Sequence, residues 1–143
     1  MARTSGDIVI AAKPAEIMAV IADLASYPEW ATGVSEVEII STDAKGLPEK
    51  VRMTLNSPPI RDSYVLQYVW GTNEVTWELV EDGGMLKQLD GAYTLVKTSE
   101  GTQVTYQLQV DVKVPLLGKL KRKAEKVIID AALKGLKQRI EGS

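Results

Sequence analysis

The sequence predicts an α+β chain in which a curved, seven-stranded antiparallel sheet wraps around one long C-terminal helix, with two short helices after the first strand. Three observations predict it. Apolar residues alternate with a period of two through six consecutive segments between Gly33 and Val110. The turns between those segments are so short that successive strands must be antiparallel neighbours. The last stretch of the chain then switches to a helical period. A sheet that curves around a single helix tends to enclose an apolar cavity, so the layout points towards holding a small hydrophobic molecule.

Residues Asp7 to Ala12 read as the first strand, broken by Lys13-Pro14, with Pro14 in a first helical turn where its missing N–H costs nothing. Ile17, Val20, Ile21 and Leu24 recur at helical spacing. Tyr27-Pro28 is expected to close that run, because the residue before a proline is pushed out of the α region, and Ala25 to Trp30 to form a second short turn. From Gly33 the period becomes two: Ser35, Val37 and Ile39 share a face, Asp43-Ala44-Lys45-Gly46 turns, and Val51, Met53 and Leu55 follow, up to Ser57-Pro58-Pro59. Asp62, Tyr64, Leu66, Tyr68 and Trp70 alternate, and Val75, Trp77 and Leu79 return after Gly71-Thr72-Asn73. Asp82-Gly83-Gly84 makes the next tight turn; Met85, Leu89, Tyr93 and Leu95 follow on one face, then Val104, Tyr106, Leu108 and Val110 after Ser99-Glu100-Gly101. The opposite parity carries Arg52, Thr54, Gln67, Thr76, Glu78, Gln88, Asp90, Thr105, Gln107 and Gln109, the pattern of a solvated outer face.

Beyond Pro115, the residues Leu117, Leu120, Ala124, Val127, Ile128, Ala131 and Gly135 fall within about a third of the helical circumference. Ile129, Leu133, Leu136 and Ile140 broaden that arc. Lys119, Lys123, Lys126, Asp130, Lys134 and Lys137 remain as the wet stripe. So wide an apolar surface must be gripped on more than one side.

At 143 residues the chain is read as one domain, residues 1–143. Seventeen basic and nineteen acidic residues leave a net charge of −2, which gives no global attraction to nucleic acid, and none is expected as a partner. The chain contains neither cysteine nor histidine. Disulfides, thiolate nucleophiles, Ser-His-Asp and Cys-His mechanisms and histidine-zinc chemistry are thereby excluded, and no metal site or cofactor is expected. The apolar run Ile8 to Ala12 is too short for a signal segment or a membrane span, so the expected location is cytoplasmic, as a monomer or weak homodimer.

Several motifs bear a resemblance to a known family. Pro14 opening the first helix, Ala25-Ser26-Tyr27-Pro28-Glu29-Trp30 before the second strand, Val75-Thr76-Trp77-Glu78-Leu79, the Gly91-x-Tyr93-x-Leu95 strand, Gly101-Thr102-x-Val104-x-Tyr106 and the closing helix resemble the START-like helix-grip (SRPBCC) superfamily. Within it the chain is most similar to the bacterial polyketide cyclase/dehydrase and lipid-transport family, over nearly its whole length. The resemblance implies a helix-grip fold and a ligand of the lipid, isoprenoid or polyketide kind. It carries over no catalytic signature, and the histidines used by some enzymatic members of the superfamily are missing here.

The inward parity supplies the candidate ligand-binding residues: Met53, Leu55, Tyr64, Leu66, Tyr68, Trp77, Leu89, Tyr93, Tyr106 and Leu108, facing Leu120, Ala124 and Ile128 of the last helix. An ordinary packed core has the same alternation. Tyrosine and tryptophan nevertheless need polar partners when buried, a dry core is built more cheaply with phenylalanine, and the chain has none. Asp62 and Lys87 share the inward parity if no bulge intervenes and are the candidate catalytic pair; desolvation would raise the acid and lower the base. Pro58-Pro59, with Gly33 and Gly46, is a candidate cavity rim. Lys119, Lys121, Arg122, Lys123 and Lys126 form a local cationic cluster in the early turns of a helix, where the dipole disfavours positive charge. Such a cluster suits an acidic carrier protein or an anionic membrane surface, or serves only to keep the helix solvated. The functions to be separated are therefore a binding protein for a small hydrophobic ligand, a cyclase/dehydrase using Tyr, Asp62 or Lys87, and an interaction module docking through the cationic helix.

Overall fold

The alternating segments pair into one seven-stranded sheet, every pairing antiparallel. A computed structural model describes residues 4–31, 33–57, 60–81, 84–113 and 118–142. Pro58-Pro59, Asp82-Gly83, Pro115 and Leu117 lie outside the described residues. The strands are β1 (Thr4–Ile10), β2 (Val34–Thr42), β3 (Pro48–Ser57), β4 (Ile60–Trp70), β5 (Glu74–Glu81), β6 (Leu86–Thr98) and β7 (Gly101–Val112), side by side in the order β1-β7-β6-β5-β4-β3-β2. Helix α1 (Pro14–Ala22), a single 3-10 turn (Leu24–Ser26) and the four-residue α2 (Tyr27–Trp30) join β1 to β2, and α3 (Gly118–Glu141) follows β7. This is the helix-grip layout that the alternation and the final helical period predict.

Local chemistry moved some boundaries. The first strand runs from Thr4 to Ile10 instead of ending at Ala12, because its partner β7 begins at Gly101 and the ladder stops at Ile10 opposite Thr102. Tyr27 does not close α1. That helix ends at Ala22, capped by Asp23 (ψ 67°), and Tyr27, with φ −55° and ψ −39°, opens α2 with Pro28 in its first turn. In β2 the register shifts between Val34 and Glu36 and again between Ile39 and Ser41. Such bulges break the simple alternation of facing along the strand; Val34 turns inward and Ile39 is exposed.

Helix α3 is rotated from its expected facing by about one residue position, or ~100°. Ala124, Ile129, Leu133 and Leu136 form its buried centre, flanked by Ile128 and Ala132, while Leu120 and Val127 are exposed. The physical reason is polar. Glu125 is buried; its Oε1 accepts a hydrogen bond from Thr4 Oγ1 (2.5 Å) and its Oε2 accepts one from the Val110 N–H (2.7 Å). That carboxylate pins the start of α3 to β1 and β7. At the other end Lys137 Nζ donates to the Val9 carbonyl (2.6 Å), and Glu141 accepts from the Ala11 N–H (2.7 Å) and from Lys137 (3.2 Å). The Ala11 N–H and then Lys137 hold the Glu141 carboxyl below its ordinary range. Sheet and helix are thus stapled at both ends, with the apolar span between them.

A candidate ligand cavity lined by aromatic rings

Beneath the middle of α3 the inward side chains leave a cavity of about 70 Å³. Strand β3 supplies Met53 and Leu55, β4 Tyr64, Leu66 and Tyr68, β5 Trp77, β6 Leu89 and Tyr93, and β7 Tyr106 and Leu108. Tyr27, Trp30 and Ala31 close one side, joined by Val34 from β2 and by Ile128 and Ala132 from α3. Seven of the eight aromatic residues in the chain therefore meet at one place, and no charged side chain lines it among the described residues.

Tyr106 meets Trp77 and Tyr93 edge to face, while Trp77 is tilted against Tyr68 and Tyr93. Trp77 lies 5.4 Å from both Tyr93 and Tyr106 and 5.6 Å from Tyr68, while Tyr93 and Tyr106 are 4.7 Å apart and steeply inclined. The Trp77 indole folds flat over its cross-strand partner Gly91; a Cβ there would lie 2.5 Å from Trp77 Cζ2. The Gly91-x-Tyr93 motif is thus the seat of the central ring. Tyr27 packs against Trp30 at 4.9 Å and donates its hydroxyl to the Ile21 carbonyl (2.5 Å). Among the described residues, the hydroxyls of Tyr64, Tyr68, Tyr93 and Tyr106 make no hydrogen bond to the protein.

Burial raises the pKa of every tyrosine here well above the ordinary phenol range; neighbouring phenols add to the effect for Tyr27, Tyr64, Tyr68 and Tyr93. All five are therefore neutral near neutral pH. They can donate or accept a hydrogen bond, but they do not act as phenolate bases.

The expected catalytic pair is not brought to this cavity. Asp62 Oδ1 accepts from the Ser63 and Gly84 N–H groups (3.0 and 2.8 Å), and its Oδ2 from those of Met85 and Leu86 (3.0 and 2.8 Å). The carboxylate is an anchor for the start of β6. Lys87 sits at a register shift between Leu86 and Gln88, which turns Leu86 inward and leaves Lys87 exposed. On α3, the rotated facing exposes Leu120 and buries Ala124 outside the lining, so of the three helix residues expected there only Ile128 lines the cavity. The remaining candidates, on the strands, all face it.

Sequence reasoning missed Tyr27, Trp30, Ala31, Val34 and Ala132. Tyr27 and Trp30 stand three apart, so on a helix they share a face; treating Tyr27-Pro28 as a helix end hid this signal. Val34 precedes the β2 bulge and the facing of Ala132 depends on the phase of α3. Neither has a residue-level mark of its own.

With this geometry in place, residues 10–137 match the family described as Polyketide cyclase / dehydrase and lipid transport. The chain belongs to that family. No curated protein matches it in sequence. Among solved structures, a START superfamily protein from Mycobacterium smegmatis superposes with a TM-score of 0.90 at 19% identity, covering 99% of both chains. A Thermus thermophilus protein gives 0.81 at 18%, over 98% of this chain and 97% of the other. The ZhuI aromatase/cyclase of a Streptomyces species gives 0.76 at 13%, over 97% and 95%. At these identities the likeness shows the START-like fold. Among the described residues no helix is long and apolar enough to cross a membrane, and no cluster of acidic side chains is arranged to hold a metal ion.

Proposed function

We propose that this family member binds a small, mostly apolar molecule whose buried part is uncharged and carries oxygen atoms, as isoprenoid or polyketide-like compounds do. The observation that supports it is the convergence of seven aromatic rings, four with neutral hydroxyls that bond to none of the described residues, on a cavity whose described lining contains no ion. A carboxylate or phosphate held inside would lack a counter-charge, whereas a carbonyl or hydroxyl would meet phenol donors.

The cavity of about 70 Å³ has room for only a few waters. Ligand pockets ordinarily start near ~300 Å³, so binding must displace side chains of the wall. Trp30 is the side chain best placed to move. It lies between the cavity and a surface groove formed with Glu29, Gly135, Gln138 and Arg139, and its buried indole N–H has no partner among the described residues. Swinging outward would give that N–H water to bond to, offsetting part of the cost of opening.

Native mass spectrometry and solvent extraction of freshly purified protein should find a copurified neutral compound. A panel of apolar molecules should raise the melting temperature most for uncharged, oxygen-bearing members, and Trp30→Ala should speed their uptake. Protein that yields no compound and responds to no member of the panel would overturn the reading. A cyclase or dehydrase role is the second reading. The four phenols support it, since they could hold a folded chain of carbonyls by hydrogen bonding; Asp62 and Lys87 bring it no acid-base pair.

A further inference from the structure

The first turns of α3 carry a surface separate from the cavity. Lys119, Lys121, Arg122, Lys123 and Lys126 surround a single acid, Glu125, which in the sequence looks like their partial counter-charge. In the structure Glu125 is turned inward to Thr4 and Val110, so it gives the outer face no partner. Lys121 approaches Asp111 (3.7 Å) and Lys126 approaches Asp130 (3.3 Å), while Lys119, Arg122 and Lys123 make no ion pair among the described residues. The same rotation of the helix leaves Leu120 and Val127 41% and 47% exposed. Leu120, Lys123, Val127 and Lys134 follow a spacing of three, four and seven, so they stand on one ridge, with Lys119 and Lys126 beside it.

We propose that this face of α3 docks on an anionic lipid bilayer. The chain as a whole carries −2, so a cationic patch here is a local feature, concentrated at a helix start whose dipole disfavours it. Two aliphatic side chains amid lysines are the pattern of an interfacial helix, whose apolar groups dip below the headgroups while ammonium groups pair with phosphates. An acidic protein fits less well. A protein interface centres on aromatic or arginine anchors in a shaped, desolvated patch, and this convex ridge has isolated aliphatics and neither an aromatic residue nor an arginine, since Arg122 lies about 160° round the helix from Leu120. A fluid surface needs no such complementarity.

Sedimentation of the full chain with phosphatidylcholine vesicles, with and without phosphatidylglycerol, tests the proposal whether or not the cavity takes a ligand. Binding is expected to the mixed vesicles only and to fall steeply with salt. Lys119→Glu with Lys123→Glu should weaken it at least about thirty-fold. Leu120→Ser with Val127→Ser should weaken it several-fold at unchanged charge. All four positions are exposed, and circular dichroism checks that each variant keeps its fold. The proposal is overturned by absence of binding to the mixed vesicles, by serine variants that bind like the unaltered chain, or by polyglutamate capturing the protein as tightly as the vesicles do.

Discussion

Asp62 illustrates how a residue type can mislead when its hydrogen bonds are unknown. Its two oxygens accept three backbone N–H groups where the chain enters β6, from Gly84, Met85 and Leu86, and a fourth from its own neighbour Ser63. Asp62→Ala should therefore lower stability by about 1.5–3 kcal/mol in urea denaturation, and ligand uptake should change only as far as the fold does. A variant with unchanged stability but abolished turnover of a polyketone would restore the catalytic role. Gly91 allows the opposite kind of test. Alanine in a strand is ordinarily better than glycine, yet here its Cβ would strike the Trp77 indole at 2.5 Å. Gly91→Ala should cost about 1–3 kcal/mol and alter the near-ultraviolet dichroism of the tryptophans; a stabilised variant with an unchanged spectrum would show that the ring does not rest there. Period-two alternation alone places Tyr64, Tyr68, Trp77, Tyr93 and Tyr106 on the inward face, where all five line the cavity. It failed at Lys87 because a bulge adds one residue to one strand only, and neither Leu86 nor Gln88 announces that insertion.

Among the elements, α3 shows what periodicity can and cannot settle. Its length and its broad apolar surface were legible, but its facing was not, because eleven apolar residues spread over more than half the circumference leave several rotations nearly equal in buried area. The choice among them falls to Glu125, whose carboxylate takes one hydrogen bond from a side chain of β1 and one from the backbone of β7. Glu125→Gln keeps the shape but sets an amide N–H₂ against one of two donors. It should lower stability by about 1–3 kcal/mol, read as a shift in the urea midpoint without loss of cooperativity. A neutral outcome would mean that packing alone fixes the helix. Gly135 fixes the approach of α3 to α2, since a Cβ there would lie 2.6 Å from the Trp30 carbonyl oxygen. The short helix and the long one touch backbone to backbone, and that closeness sets Trp30 against the cavity.

At the scale of the whole molecule, sheet and helix enclose five phenols in one interior, and this makes stability depend on pH in a direction that the site dictates. In the unfolded chain a tyrosine loses its proton near pH ~10. In the folded chain burial holds all five above that value. Above pH ~10 the unfolded state therefore binds fewer protons than the native one, and stability must fall as pH rises, by up to about 1.4 kcal/mol per pH unit for each tyrosine. Below that pH the tyrosines contribute their full stabilisation, so the melting temperature should not respond to them between neutrality and pH ~9. Phenolate absorbance should appear only together with loss of near-ultraviolet dichroism, in one cooperative alkaline transition. A ligand that hydrogen-bonds to the phenols should move that transition to higher pH, because it binds the protonated native form alone. Gradual titration near pH ~10 with the fold intact would mean that the hydroxyls already meet bulk water. The interior would then be an open cleft, and its preference for uncharged molecules would lose its physical basis.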